Sequence, residues 1–265
     1  AFFRQVYVST KVRPRIEGSD DLFMKPPGTV SAWPVKSTMA SSSGAGTNNQ
    51  CGTSGSESAA LAEGPVATVI KEFGVIHLRN ALSEAEQAKL YKMISPYVTT
   101  RPATNPIPAN FHLSSGEVGA KQRKQPLHDC GELLYARFAK EVAAQLSPET
   151  ISAEPALARL ARVHSGAQPV RVDHVSGVSY LAHSVLDTHQ DGPMPLYTMS
   201  VALGDACDFV VGAPLPTGRK AYPNLRTGTP ATLLMASGDA IFFDGGSVSH
   251  AVPRIHKGTA PSYFR

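Results

Sequence analysis

The sequence predicts a mainly β protein with flanking helices, an α+β chain in which two helices cover an antiparallel core. Two observations carry this. From about residue 169, short runs rich in β-branched and aromatic residues alternate with Gly, Pro and Asp, the texture of a sandwich or barrel. Further upstream, two stretches repeat apolar residues at intervals of three and four, the period of a helix with one buried face. The composition agrees with a globular chain: 265 residues, 42% hydrophobic and 17% charged. It contains no run of eighteen apolar residues and no internal repeat, which argues against a membrane span and a solenoid.

Taken in order, residues 1–36 read as an N-terminal arm, with Phe2, Phe3, Tyr7, Phe23 and Trp33 as candidate anchors. The opening AFFRQVYVSTKVRPR is basic and lacks the long apolar core and small-residue cleavage site of a signal peptide. Residues 37–64 are dominated by Ser, Gly, Ala, Thr and Asn, with no apolar period, and read as a flexible linker. The main domain then spans residues 65–265. VATVIKEFGVIHL (66–78) is one or two short strands. A helix follows, with Ser83 as N-cap, Glu86 as its capping-box partner, and Ala85, Leu90, Met93 and Ile94 on the apolar side.

Residues 99–131, rich in Pro, Asn and Gly, suggest long loops around short strands. A second helix runs over 130–146, with Leu133, Leu134, Phe138, Val142 and Leu146 as its apolar positions. Strands are then expected in PVRVDHVSGVSYLAHSV, LYTMSVALG, CDFVVG, ATLLMAS, DAIFFDG, HAVPRI and SYFR.

Cys51, Cys130 and Cys207 are far apart and odd in number, so neither a zinc ribbon nor a disulfide framework is expected, and a reducing compartment follows. The formal charge of +4 and pI near 9.0 are compatible with a polyanionic partner without requiring one.

The chemistry starts at LDTHQDG, where His189 and Asp191 stand two residues apart at a strand end and so share one side. A second histidine, His250, follows the strand and Gly-Gly turn of SGDAIFFDGGSVSHAVPRI. Two histidines and one carboxylate form the facial set that binds ferrous iron and leaves coordination positions open. Arg265, at the end of SYFR, is placed to pair with a dicarboxylate co-substrate, because a planar guanidinium grips a carboxylate through two parallel hydrogen bonds. Asp173 and His174 are adjacent and make a poor ligand pair, His183 is expected to pack or cap, and Asp187 fits a turn.

Together, THQDG, MSVALGDACDFVVG, LLMASGDAIFFDGG and HAVPRI resemble the AlkB family of iron- and 2-oxoglutarate-dependent dioxygenases. FGVIHLRNALSEAEQAKL is similar to that family's first strand and helix. HAVPRI and the basic arm look most like the AlkB homologue 1 branch. The resemblance implies a double-stranded β-helix, or jelly roll, holding Fe(II) on His189, Asp191 and His250, with 2-oxoglutarate as co-substrate and O2 as oxidant.

It further implies that Tyr180 contacts 2-oxoglutarate, although Val178 stands where the family usually has Asn. The family's final strand carries two arginines in an R-x-N-x-T-F-R-like pattern; here only SYFR is present. Arg265 is therefore the first candidate for the co-substrate clamp and Arg254 the second. The implied reaction is oxidative demethylation of a methylated base in DNA or RNA, presented single-stranded or flipped out. The segment 110–130 corresponds to the family's nucleotide-recognition lid. There Phe111 or His112 is placed to stack on a base, and Lys121, Arg123 and Lys124 to neutralise phosphates. The expectation is an intracellular monomer with a nucleic-acid partner. The alternatives are a dioxygenase of the same fold acting on 5-methylcytosine, a protein or a small molecule, and a non-catalytic nucleic-acid-binding module.

Overall fold

A computed structural model describes residues 5–12, 64–98, 107–115, 125–152, 174–193 and 197–264, with backbone alone for 5–12, 111–115, 125–128 and 151–152. The elements belong to one unit, Ala1–Pro14 with Glu63–Arg265. The expected linker at 37–64 lies, apart from Gly64, outside the described residues, as do Phe2, Phe3, Phe23, Trp33 and Cys51.

The strands are β1 (Gln5–Val12), β2 (Val66–Ile70), β3 (Val75–Arg79), β4 (Ala109–Ser115), β5 (His174–Tyr180) and β6 (Leu186–His189). They continue as β7 (Tyr197–Gly204), β8 (Cys207–Val211), β9 (Ala231–Met235), β10 (Ala240–Asp244) and β11 (His250–Ile255). The helices are α1 (Glu84–Ile94), α2 (Gln125–Gln145) and the short α3 (Pro148–Ser152). The strands form a seven-stranded sheet in the order β2-β3-β10-β7-β1-β5-β4 and a four-stranded sheet in the order β6-β11-β8-β9, and the pairs are antiparallel. From β5 to β11 the chain passes between the two sheets repeatedly, which is the jelly-roll winding.

Strand alternation divides the interior into two cores. On β7, Met199, Val201 and Leu203 point to one side and join Ile76, Leu78, Phe242 and the buried faces of α1 and α2. Ala202 points to the other side. There Val75, Tyr180, Ile241 and Phe243 meet Phe209, Val211, Met235 and Val252 of the smaller sheet. The intervening β7 positions on that inter-sheet face are Thr198 and Ser200, both buried.

α1 starts as its sequence dictates: the Ser83 side chain accepts from the Glu86 N–H, and the Glu86 carboxylate accepts from the Ser83 N–H. Leu90 and Ile94 are buried, whereas Ala85 is exposed and Gln87 takes a buried place, donating to the Leu82 carbonyl. α2 buries Leu134, Tyr135, Phe138, Ala139 and Val142. Leu133, expected on that stripe, is 51% exposed, because it lies one helical step outside the arc that 134, 138 and 142 define.

Two further differences concern the chain ends. The expected strand at SYFR is absent over its described residues: Ser262–Phe264 is a 3-10 turn closed by the Phe264 N–H on the Pro261 carbonyl, and its rings lean on Tyr91 of α1. Proline lacks the N–H that a ladder needs, so a turn is the natural outcome. At the other end, Gln5–Val12 was read as part of an arm and is instead β1. It is paired along its full length with β7 and over seven residues with β5. Its partners lie more than 160 residues away in sequence, so no local pattern reveals them.

Candidate metal centre

Register alone brings the two histidines together. His189 ends β6 and His250 begins β11, and the two are directly paired, with ring centroids 4.2 Å apart. Asp191 follows two residues after His189 and is pinned by its own N–H, which donates to the Gly245 carbonyl at 2.8 Å. Its Oδ1 lies 3.6 Å from His189 Nε2 and 3.7 Å from His250 Nε2. One donor atom from each residue lies within 4.8 Å of the others, which no other cluster of His, Cys, Asp and Glu achieves among the described residues.

The backbone fixes which nitrogen faces the cluster. His189 Nδ1 is 2.9 Å from the Asp187 carbonyl, and His250 Nδ1 is 3.0 Å from the Val248 carbonyl. A carbonyl only accepts, so each Nδ1 carries a proton and each Nε2 is the nitrogen turned to the cluster. Orientation of a ligating histidine through its second nitrogen is the usual outer-shell device of a metal site. Ligands on adjacent corners of an octahedron about 2.1 Å from the ion stand about 3 Å apart. The two separations to Asp191 therefore close on a divalent ion with small side-chain adjustments. Two imidazoles and a carboxylate on one side of an ion suit Fe(II) and leave positions for other ligands.

The surroundings hold the triad in place. A Cβ on Gly245 would stand 2.3 Å from Asp191 Oδ2 and 3.2 Å from Thr198 Oγ1, so only glycine lets the strand turn pass this close to the carboxylate. Gln190, between the two ligands, donates to the Asn224 side chain and to the Gly246 carbonyl, and accepts from the Tyr222 N–H. Asn224 also donates to Gly246. This network ties the ligand loop to the turn before His250. Phe209 stacks parallel to the His250 ring at 5.9 Å, and Phe243 meets it edge-on at 4.7 Å. Sequence reasoning did not single out Gln190, Asn224, Gly245, Phe209 or Phe243. The Gly-Gly doublet was visible as a turn, but what it packs against was not.

Tyr180 is 1% exposed in the inter-sheet core. Burial, together with the neighbouring Cys207 and Asp191, holds its phenol well above the ordinary tyrosine range, so it remains a neutral hydroxyl. Arg254 is a different matter. Its guanidinium is 67% exposed and bonded to Asp208, directly opposite it in register. Cys207 and Phe209 of β8 face the inter-sheet core, so Asp208 between them, and Arg254 with it, lie on the outer face. The second candidate for the co-substrate clamp is thus turned away from the triad. Burial pushes the Asp208 carboxyl up, and hydrogen bonds from His256 and Arg254 more than offset this and hold it below the usual range.

Arg265, Lys121, Arg123 and Lys124 lie outside the described residues. Phe111 and His112 are on β4, at the edge of the larger sheet, opposite Gly177 and Ser176. As neighbours on a strand they occupy opposite faces, and the His112 position is on the inter-sheet side. His183 is exposed, and Asp187 contributes its carbonyl to His189. Cys130 and Cys207 are both buried. No helix among the described residues is long and apolar enough to cross a membrane.

No family model matches the chain, and no curated protein matches it. Among solved structures, "The structure of OsALKBH1" aligns with 72% of this chain and 89% of its own, at 16% identity and a TM-score of 0.44. At that distance the likeness carries neither activity nor substrate across.

Proposed function

We propose that the chain is an Fe(II)- and 2-oxoglutarate-dependent dioxygenase of the AlkB type, nearest the homologue 1 branch, which demethylates bases in DNA or RNA. The observation that supports this best is the triad. His189, Asp191 and His250 converge at the edge of a jelly roll, with both histidines oriented by backbone carbonyls to offer Nε2. The sequence motifs that resemble the family surround these same residues.

In this reading His189, Asp191 and His250 hold the iron. With 2-oxoglutarate and O2 bound, the metal supplies oxidation of an N-methyl group, releasing succinate, carbon dioxide and formaldehyde. The chain's own work is to place and to shield. Asp191 is held by its N–H on Gly245, and the imidazoles by their Nδ1–H bonds. Phe209 and Phe243 cover the inner flank of His250 and keep that side dry. The buried Tyr180 hydroxyl is a donor for the co-substrate. Lys121, Arg123 and Lys124 would meet phosphates, with His112 or Phe111 toward the base. The protein would act as an intracellular monomer.

The test is nucleoside mass spectrometry after incubation with Fe(II), 2-oxoglutarate and a panel of methylated oligonucleotides, with succinate release measured in parallel. Loss of a methylated nucleoside matched by succinate supports the proposal. Succinate release on peptides or small molecules alone would move the substrate elsewhere. Oligonucleotide binding with no succinate at all would make the protein a binding module.

A further inference from the structure

Between β8 and β9 the chain leaves the smaller sheet for a loop, 212–230, that contains Arg219, Lys220 and Arg226 and no Asp or Glu. Both feet of this loop stand on the metal centre. The Gly212 N–H donates to the Ser249 carbonyl at 2.9 Å and the Arg226 N–H to the Ser247 carbonyl at 2.6 Å, on the turn that leads to His250. The Tyr222 N–H donates to Gln190 Oε1 at 3.0 Å, and Gln190 lies between His189 and Asp191. His189 is the most open of the three, with 25% of its side chain exposed against 13% for Asp191 and 6% for His250. The loop is therefore fastened to the segment through which the cluster meets solvent.

The tip of the loop is shaped rather than slack. The Arg219 N–H closes a turn on the Pro216 carbonyl at 3.0 Å, and Gly218 takes the φ of +83° that the third position of such a turn requires. That turn presents Arg219 and Lys220, both exposed. The Lys220 ammonium stands 5.6 Å from the centre of the Tyr222 ring, which steadies it and leaves its charge uncancelled. Among the described residues neither cation pairs with a carboxylate. Arg226 is committed elsewhere, its Nη2 donating to the Glu72 carbonyl. Two unneutralised cations held by a preformed turn beside a metal site suit a chain of phosphates.

We infer that the 212–230 loop binds the backbone of a single-stranded nucleic acid, with Arg219 and Lys220 on phosphates that flank the base presented to the metal. This rests on the nucleic-acid reading above and gives that substrate a contact surface separate from Lys121, Arg123 and Lys124. A base turned toward the metal leaves its phosphates outside, where these two side chains are exposed.

The experiment is fluorescence anisotropy of labelled single-stranded DNA and RNA of one mixed sequence, titrated with the Mn(II)-loaded full chain over a range of salt. Arg219→Ala with Lys220→Ala is compared with wild type and with the charge-keeping swap Arg219→Lys with Lys220→Arg. A control, Lys92→Ala with Lys140→Ala, removes two exposed cations from α1 and α2. Each phosphate contact on a single strand adds a slope of about 0.7 in log affinity against log salt. Losing two should flatten the slope by about 1.4 and weaken binding about 25-fold at about 0.1 M salt. The swap and the control should bind near wild type, with Mn(II) affinity equal in all four proteins. Unchanged affinity and slope in the double alanine variant overturns the inference and leaves the nucleic-acid reading standing. An equal loss in the swap or the control also overturns it, since loop shape or net charge would then be at work. Lost Mn(II) affinity in the double alanine variant overturns it too, the loop then being a support of the metal site. A wild type that binds neither strand overturns both.

Discussion

Gly245 keeps Asp191 in place by having no side chain, and that makes it the most informative single position near the triad. A methyl group there would fall 2.3 Å from the Asp191 carboxylate, which is short and already held by its own backbone, so the ligand itself must move. Gly245→Ala should weaken Mn(II) binding about tenfold or more, measured by titration with a paramagnetic readout. Gly192, one residue beyond Asp191, has nothing within 4 Å of its own Cβ position, and Gly192→Ala should bind Mn(II) as wild type does. Asp191→Ala removes one of three donors and should abolish both metal retention and oxidation. Full activity in that variant would end the triad assignment. The three candidate ligands were legible in the sequence because His-x-Asp puts two side chains on one side of a strand end and the distal histidine follows a Gly-Gly turn. Gln190, Asn224 and the two phenylalanines were not, because their partners are set by folding.

At the scale of elements, α1 and α2 show how far periodicity reaches. Ser83→Ala breaks a reciprocal cap and should cost about 1 kcal/mol in urea unfolding. On α2, Phe138 is fully buried and Leu133 is half exposed, although both sit at apolar positions of the same repeat. Phe138→Ala should therefore cost about 3–5 kcal/mol and Leu133→Ala under about 0.5 kcal/mol. Equal costs would mean α2 is rotated on the sheet. The same helix buries Cys130, whose thiol burial pushes up to about 11 even though Lys89 and Arg137 pull the other way. Native protein at pH 8 should leave Cys130 unalkylated by iodoacetamide, with full modification in denaturant, as read by intact mass. The Gly238–Asp239 pair of SGDAIFFDG has a structural use. Gly238 adopts φ +88° beside the Leu82 carbonyl, and Asp239 accepts from the Asn80 and Ala236 N–H groups while meeting His77 at 2.9 Å.

For the molecule as a whole, the candidate metal ligands come from the smaller sheet and its loop, while Gly245, whose Cβ position meets Asp191, follows a strand of the larger one. An ion bound at this seam stabilises the folded state alone. Mn(II) at a hundred times its dissociation constant should add about 2.7 kcal/mol and raise the melting temperature, and Asp191→Ala should erase that rise. Nucleic-acid binding is tested at the same scale, since a net charge of +4 is too small to bind by uniform attraction. Substituting Lys121, Arg123 and Lys124 together should weaken oligonucleotide binding across sequences and flatten its salt dependence, by a slope of about 0.7 per lost phosphate contact on single strands. Unchanged binding at every salt concentration would remove that segment from the interface.

The sequence alone determined the β-rich class, the two helices and the cap on α1, because each is written in short-range spacing that strand or helix geometry converts directly; it also named His189, Asp191 and His250 as candidate ligands, but the pairing of β6 with β11 is what brings His250 to the other two. Tertiary structure decided what spacing cannot encode. It inserted Gln5–Val12 between β5 and β7, turned Arg254 outward onto Asp208, and folded Ser262–Phe264 into a turn against α1. Each of these depends on which distant strand or helix offers the free edge or the complementary charge. A strand's alternation states that one face will be buried, but only its pairing partners settle which face and beside what.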